Sequence, residues 1–180
     1  MGQHKFNLRK FYNKNKMKNK DIAKLISGIN NVGSLKGVKF AYAMAKNRKK
    51  LDSELETLKE ANKLSDEFIK QDEKRVELAK KFADKDEKGN PKTKEVPGGS
   101  SYLFNGSIEP SKEFEDALKD LRNTDSDYKK AVEDRESQEK EFTDLLNKES
   151  SYVPHMVKLS DIPTDITSAQ MDGIRDLIEE

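Results

Sequence analysis

The sequence predicts a mainly helical protein, in which a long antiparallel coiled-coil hairpin stands on a small base of N- and C-terminal helices with one or two short strands. Three observations lead to this fold class. Charged residues make up 38% of the 180 residues and hydrophobic residues only 33%, which excludes a thick globular core. Apolar residues recur at helical spacing in two stretches of equal length, and a segment rich in Gly and Pro separates the two stretches.

The composition also excludes several classes of function. The chain has no cysteine, which removes disulfides, thiolate zinc sites, iron–sulfur clusters and cysteine nucleophiles. No apolar run approaches the roughly 18 residues that a membrane span requires, and no hydrophobic stretch follows the basic N-terminus as a signal peptide would need. We therefore expect a soluble intracellular protein with no membrane partner.

The net charge of +1 hides a strong asymmetry along the chain. Residues 1–50 contain 14 Lys or Arg and a single acid, Asp21, so 21 of the 35 basic and 33 of the 34 acidic residues lie in 51–180. One interpretation is a solvated basic end that aids solubility. The other is a binding surface for a polyanion or for an acidic protein.

The first 16 residues predict a flexible basic arm in which Phe and Tyr alternate with Lys and Arg. Cations neutralise phosphates and rings stack on bases, so the arm and the basic cluster at 46–50 predict a site for nucleic acid or an acidic partner. The predicted residues of this site are Lys5, Arg9, Lys10, Lys14, Lys16, Lys46, Arg48, Lys49 and Lys50.

The base is predicted to combine residues 17–50 with residues 150–180. Apolar residues on one face predict a short helix over 21–30. The segment 37–47 alternates as a strand does but is also rich in Ala, and we favour a helix because the following residues are helical.

The hairpin is predicted over 51–149. Seven of ten seam positions are apolar in each of two 33-residue stripes, 51–83 and 114–146, and each stripe spans roughly 50 Å as a helix. The pattern fits equally a hairpin that closes within one chain and a bundle of several chains.

The segment between the stripes, 84–110, is predicted to form a loop at the hairpin tip. Tyr102, Leu103 and Phe104 lie between turn sequences, which indicates a short β-hairpin or an adhesive tip loop. The three side chains are candidates for a protein contact at the tip, or they fold down and cap the coiled coil.

The same segment carries a weak calcium-loop pattern at Asp84, Asp86 and Glu95. Lys88 stands where an oxygen ligand is expected, and Pro91 takes the usual apolar position, so a simple turn is favoured. The chain has only two histidines and shows no triad or phosphate loop. We expect no enzyme activity, no cofactor, no metal and no small-molecule substrate.

The C-terminal region predicts a short strand over 152–159 and a final helix that begins with a Thr167–Gln170 capping box. The buried face of this helix is expected to pack on the helix over 21–30. Its members are Met171, Ile174, Leu177 and Ile178.

Three segments, 38–60, 82–91 and 157–180, together resemble a family of small bacteriophage proteins of uncharacterised function. They carry a Tyr-Ala-x-Ala-Lys-Asn sequence at the start of the first segment, a Lys-Asp-Glu-Lys-Gly-Asn turn and a terminal Lys-Leu-Ser-Asp sequence. The resemblance implies a phage-encoded virion component, an assembly factor or an inhibitor of a host system. It also implies a location in a bacterial host or within a phage particle.

The leading hypothesis from the sequence is a non-enzymatic interaction or assembly protein that docks onto a protein, or onto copies of itself, through the helical hairpin. The alternative is a nucleic-acid-binding protein that uses the basic arm and residues 17–50.

Overall fold

A computed structural model describes residues 17–179 of the chain. Helices make up 62% of these residues, so the prediction of a mainly helical protein is confirmed. The predicted basic arm, residues 1–16, lies outside the described residues. The elements are α1 (Ile22–Asn31), α2 (Val38–Ala61), α3 (Asp66–Phe82), β1 (Thr93–Val96), β2 (Gly99–Tyr102), α4 (Lys112–Thr124), α5 (Ser126–Asn147), β3 (Val157–Lys158), α6 (Ser168–Gly173) and β4 (Ile178–Glu179), with short 3₁₀ helices at Asn19–Asp21, Leu159–Asp161 and Arg175–Leu177.

The chain divides into two compact units. The terminal unit comprises the described part of Met1–Asn62 together with Glu141–Glu180, and the inserted unit is Lys63–Lys140. The base predicted at 17–50 and 150–180 and the hairpin predicted at 51–149 have other boundaries, and that division stays a prediction.

The core of the terminal unit forms where α1, α2 and the C-terminal residues meet. Ile22, Phe40, Leu51, Ile174 and Leu177 expose at most 1% of their surface. The segment 37–47 is helical from Val38, as the sequence favoured. Its buried apolar residues Phe40, Ala43 and Met44 share one face of α2 with Leu51, and α2 packs on α1.

Helices α1 and α6 cross at two glycines. A Cβ added to Gly28 would lie 2.0 Å from the carbonyl oxygen of Gly173, so only a hydrogen fits between the two backbones. The predicted packing of the final helix on the first helix is therefore confirmed, and so is the Thr167–Gln170 capping box.

The final helix is shorter than predicted. It ends at Gly173, a 3₁₀ turn follows, and Ile178 lies in strand β4, parallel to Val157 of β3. The expectation that Ile178 lies in the helix is wrong, because the chain turns into an extended strand that pairs with β3. The predicted strand over 152–159 reduces to the two residues of β3.

The long coiled-coil hairpin is not confirmed, since each predicted stripe is broken into two helices. The first stripe stops at Ala61 and resumes after Ser65, whose hydroxyl accepts a hydrogen bond from the Phe68 N–H at 3.1 Å. The second stripe breaks at Asp125, whose carboxylate accepts from the Tyr128 N–H at 2.9 Å. Ser and Asp cap new helices here because their oxygens satisfy N–H groups that lack an intrahelical partner.

The first break changes which residues are buried in α3. Ile69, a predicted seam residue, exposes 49% of its surface, whereas Gln71 is buried at 5%. The register continued from Leu51 is therefore wrong at Ile69, whereas its later positions Ala79 and Ala83 are buried.

The inserted unit has its own small core. Ala79, Ala83, Phe104 and Phe114 are buried together, and the rings of Phe104 and Phe114 stack with centroids 4.9 Å apart. α3 contacts α4 along this core, which stabilises the antiparallel sheet of β1 and β2 beside it.

Candidate interaction surface

The segment predicted to form the tip is a β-hairpin followed by a tight loop. Thr93–Val96 pairs with Gly99–Tyr102, with Gly98 in the turn at φ 95°. Phe104 exposes only 5% of its surface, so of the two alternatives for this residue the exposed contact is wrong and the side chain is folded in, where its ring lies in the core of the inserted unit. Tyr102 and Leu103 are half-buried, and their role in a protein contact stays a prediction.

The carboxylates of the calcium-loop pattern hold the backbone of this loop. Asp84 accepts from the N–H groups of Asn105 at 2.9 Å and Gly106 at 2.7 Å, and Asp86 accepts from the Asn90 N–H at 2.8 Å. The hydrogen bonds from Asn90 lower the pKa of Asp86. Glu95 lies in β1, where it accepts from the Ser100 hydroxyl.

Over residues 17–179, no group of three or more His, Asp or Glu side chains is placed to hold a metal ion. The Asp84 and Asp86 carboxylates organise backbone N–H groups of the turn and the loop.

The four basic residues predicted at 46–50 do not form one patch. Lys46 and Lys50 are one turn apart and share a flank of α2, whereas Arg48 lies on the opposite flank. Arg48 donates to Asp52 at 2.7 Å and to Asn30 of α1, so its charge is already compensated. Lys49 lies exposed on the outward face. The five basic residues predicted in the arm lie outside the described residues.

Residues 153–161 run alongside the Lys46–Lys50 flank of α2 in the antiparallel direction. Near one end, the Lys50 ammonium donates to the Val153 carbonyl at 3.0 Å. In the middle, the Tyr42 and His155 rings meet edge to face with centroids 5.8 Å apart. At the other end, the Lys39 ammonium of α2 forms an ion pair of 3.2 Å with Asp161, in the 3₁₀ turn at Leu159–Asp161.

Asn47 fastens this segment to α2. Its side chain is fully buried, donates to the His155 carbonyl at 2.8 Å, and accepts from the His155 N–H and the Tyr152 hydroxyl, both at 2.7 Å. One amide thus satisfies three hydrogen-bonding groups of this loop. Burial raises the pKa of Tyr152, so its hydroxyl remains a donor at neutral pH.

We define the α2 surface as the exposed side of α2 with the adjoining loop. Val38 is 89% exposed, Tyr42 61%, Val153 60% and Leu159 65%. Among the described residues these are four of the seven large hydrophobic side chains that remain exposed. The members of the α2 surface are Val38, Tyr42, Lys46, Lys49, Lys50, Val153, His155 and Leu159.

Sequence reasoning named only the lysines of this surface. Val38 and Tyr42 are four residues apart and lie opposite the buried face of α2. This spacing was the signal in the sequence that could have identified an exposed apolar pair. Val153, His155 and Leu159 could not be assigned, because they join the surface only through the long-range contacts of Asn47 and Lys50.

Lys46 interacts with the aromatic part of this surface. Its ammonium nitrogen lies 5.6 Å from the centroid of the Tyr42 ring, in the range of a cation–π interaction. The Tyr42 ring therefore positions the Lys46 ammonium on the same side of α2 as an exposed aromatic group.

The terminal unit also has a groove of about 820 Å³. Both cations and carboxylates line it, so its charge is not of one sign and does not select a charged ligand. The groove is lined by Met17, Lys18, Asp21, Lys24, Leu25, Glu149, Asp172, Gly173, Arg175 and Asp176.

Over residues 17–179, no helix has the length and apolar character needed to cross a membrane. The chain matches no family model, no curated protein and no solved structure in comparisons with each.

Proposed function

We propose that the protein is a non-enzymatic binding protein that docks onto a protein partner, or onto a second copy of itself, through the α2 surface. The observation that carries this proposal is the exposure of four large hydrophobic side chains, Val38, Tyr42, Val153 and Leu159, on α2 and on the loop that runs alongside it. Large apolar side chains left exposed on adjoining segments are typical of a surface that is covered when a partner binds.

This proposal moves the binding surface from the predicted hairpin to the terminal unit. In the inserted unit the exposed apolar residues are Leu64, Ile69 and Ile108, which belong to three different segments of the chain. The α2 surface also combines aromatic and aliphatic groups, as the centres of protein interfaces do. The bacteriophage resemblance supports a virion component, an assembly factor or an inhibitor of a host system as the setting for such docking.

A photo-crosslinking experiment in bacterial cells tests the proposal. A benzoylphenylalanine at position 42 should form an adduct with one defined protein, or with a second copy of the chain, on irradiation. The same group at the exposed position Lys119 of α4 is the matched control. The purified partner should then bind the wild-type chain and lose at least about tenfold in affinity against Tyr42→Ala.

Two outcomes would contradict the proposal. One is an equal yield of the same adduct from positions 42 and 119, which would indicate chance collision. The other is the absence of any adduct from position 42 in a chain whose circular dichroism matches the wild type.

A second candidate function, nucleic-acid binding, is favoured by the Lys46 ammonium over the exposed Tyr42 ring, with the His155 ring beside them. Rings and cations in this arrangement suit single-stranded nucleic acid. Titration of labelled duplex and single strand across a salt series tests it, with the chain that starts at Met17 in parallel. Steep weakening by salt, and loss of binding without residues 1–16, would support this function.

A further inference from the structure

We infer that the α2 surface recognises an amphipathic protein segment that carries carboxylates beside apolar side chains. The inference rests on the proposed protein-binding function and specifies the chemistry of the partner. Four features of the surface lead to it, namely its charge, its apolar groups, its length and its rigidity.

The surface carries positive charge that the described part of the chain does not neutralise. No ion pair joins Lys46, Lys49 or Lys50 to a carboxylate of residues 17–179. Carboxylates beside the surface have other partners: Asp161 pairs with Lys39 at its far end, Asp52 pairs with Arg48, and Glu54, four residues after Lys50, accepts from the Ser151 hydroxyl at 3.0 Å. Lys50 donates to a carbonyl, which leaves its charge intact. A partner with carboxylates is therefore attracted, and a partner with positive charges is repelled.

The apolar groups distinguish a protein segment from a nucleic acid. Val38, Val153 and Leu159 are aliphatic and expose at least 60% of their surface. Aliphatic side chains offer no ring on which bases stack, and burying them beside phosphates brings little gain. Leu, Ile, Val or Phe side chains of a protein segment remove the same apolar surface from water, which is favourable.

The dimensions fit a short segment. From Val38 to Lys50 the helix α2 rises about 18 Å, at 1.5 Å per residue. A helix of about 12 residues or a strand of five or six residues has this length. One such segment can place apolar residues near Val38 and Leu159 and a carboxylate near Lys50.

The surface is pre-organised by Asn47. Its three hydrogen bonds fix residues 152–155 against α2, so Val153 and His155 do not have to be ordered when the partner binds. A rigid surface loses less conformational entropy on binding, which favours recognition of a short segment.

Fluorescence anisotropy with defined probes and the full-length chain tests the inference. The main probe is a labelled 14-residue helical peptide with Glu and Leu on one face. Matched peptides carry Gln for every Glu or Ser for every Leu, and a 12-nucleotide oligo-dT represents nucleic acid. The Glu–Leu peptide should bind at least about tenfold more tightly than each of the other three probes.

Variants of the chain locate the binding. Lys46→Ser/Lys50→Ser and Val38→Ser should each weaken the Glu–Leu peptide by about fivefold or more. Lys70→Ser/Lys119→Ser removes two exposed lysines of the inserted unit and should leave the affinity unchanged. Circular dichroism of each variant shows that it is folded.

Each contrary result overturns the inference. Tighter binding of oligo-dT would assign the surface to nucleic acid, and equal binding of the Gln or Ser peptide would remove the carboxylate or the apolar requirement. Equal loss in the two double-lysine variants would show a nonspecific charge effect, and no peptide binding would exclude this partner chemistry. If position 42 still yields a specific adduct, the protein-binding function survives without this partner class.

Discussion

Asn47 is the residue on which the α2 surface depends most directly. A single amide satisfies one carbonyl, one N–H and one hydroxyl from residues 152–155, and it does so with no exposure to water. Buried polar groups of this kind stabilise a fold mainly because removing one partner leaves the others without hydrogen bonds. Hydrogen bonds to Asn47 therefore help to specify the orientation of the loop.

Replacing Asn47 should test this dependence. Asn47→Ala leaves the His155 N–H and carbonyl and the Tyr152 hydroxyl without partners, and we expect a loss of about 2–4 kcal/mol in the free energy of unfolding. Tyr152→Phe removes only one of the three bonds and should cost about 1 kcal/mol. Urea unfolding followed by circular dichroism measures both. Equal losses for the two variants would show that the amide is not the centre of the network.

Gly28 carries the second prediction at this scale. Gly28→Ala would place a methyl group 2.0 Å from the Gly173 carbonyl oxygen, and since that oxygen is backbone, α1 and α6 must move apart. We expect a loss of more than about 2 kcal/mol in the free energy of unfolding. Ser27→Ala on the exposed side of α1 is the control and should change stability by less than about 0.5 kcal/mol. A wild-type urea midpoint for Gly28→Ala would contradict the observed crossing.

The helix breaks decide the organisation at the scale of elements. Both breaks occur where a capping residue, Ser65 or Asp125, stands inside a heptad pattern that otherwise continues. Ser and Asp can occur within a continuous helix. Their side chains can also cap the N-terminus of a new helix, and this capping hydrogen bond competes with continuing the first helix. The helices end at Ala61 and Thr124 and new ones begin at Asp66 and Ser126, so the alternative prevails at both places.

The cap at Asp125 leads to a prediction about pH. Hydrogen bonds from the Lys74 side chain and then from the Tyr128 N–H lower the pKa of Asp125 in the folded protein. Its contribution to stability is therefore complete above the unfolded pKa of about 3.9, and it is lost as pH falls through the folded pKa. Asp125→Asn keeps an oxygen for Tyr128 but has no charge to lose.

The measurement is the urea midpoint at pH 7 and at pH 3. Between these values the wild type should lose more stability than Asp125→Asn does. Asp116→Asn, an exposed acid of α4, should retain the full pH dependence of the wild type. If Asp125→Asn shows the same acid sensitivity as the wild type, the Lys74–Asp125 pair of 2.5 Å does not contribute to stability.

At the scale of the whole molecule, the division into a terminal and an inserted unit explains how so polar a chain folds. Each unit buries its own cluster of apolar residues, so neither requires a thick core. Charged side chains remain in water on the outer helix faces, where pairs such as Arg122–Glu136 contribute little individually.

The secondary structure of the whole chain provides the last prediction. Since 62% of the described residues are helical, the far-ultraviolet circular dichroism of the full-length protein should correspond to more than about half helix. A helical content well below half in dilute neutral buffer would contradict the architecture of both units.

The sequence by itself determined the mainly helical class, the helix over 37–47, the first helix, the Thr167–Gln170 capping box and the packing of the final helix on the first. These features depend on local periodicity and on caps, which a few neighbouring residues specify. Only the tertiary structure decided the two breaks in the predicted hairpin, the burial of Phe104 and the membership of the α2 surface. In each case the outcome depends on contacts that the local pattern does not contain. A capping hydrogen bond competes with a continued helix, and Phe104 is buried because it packs on residues of other elements. The loop joins the α2 surface because Asn47 binds it from about one hundred residues away.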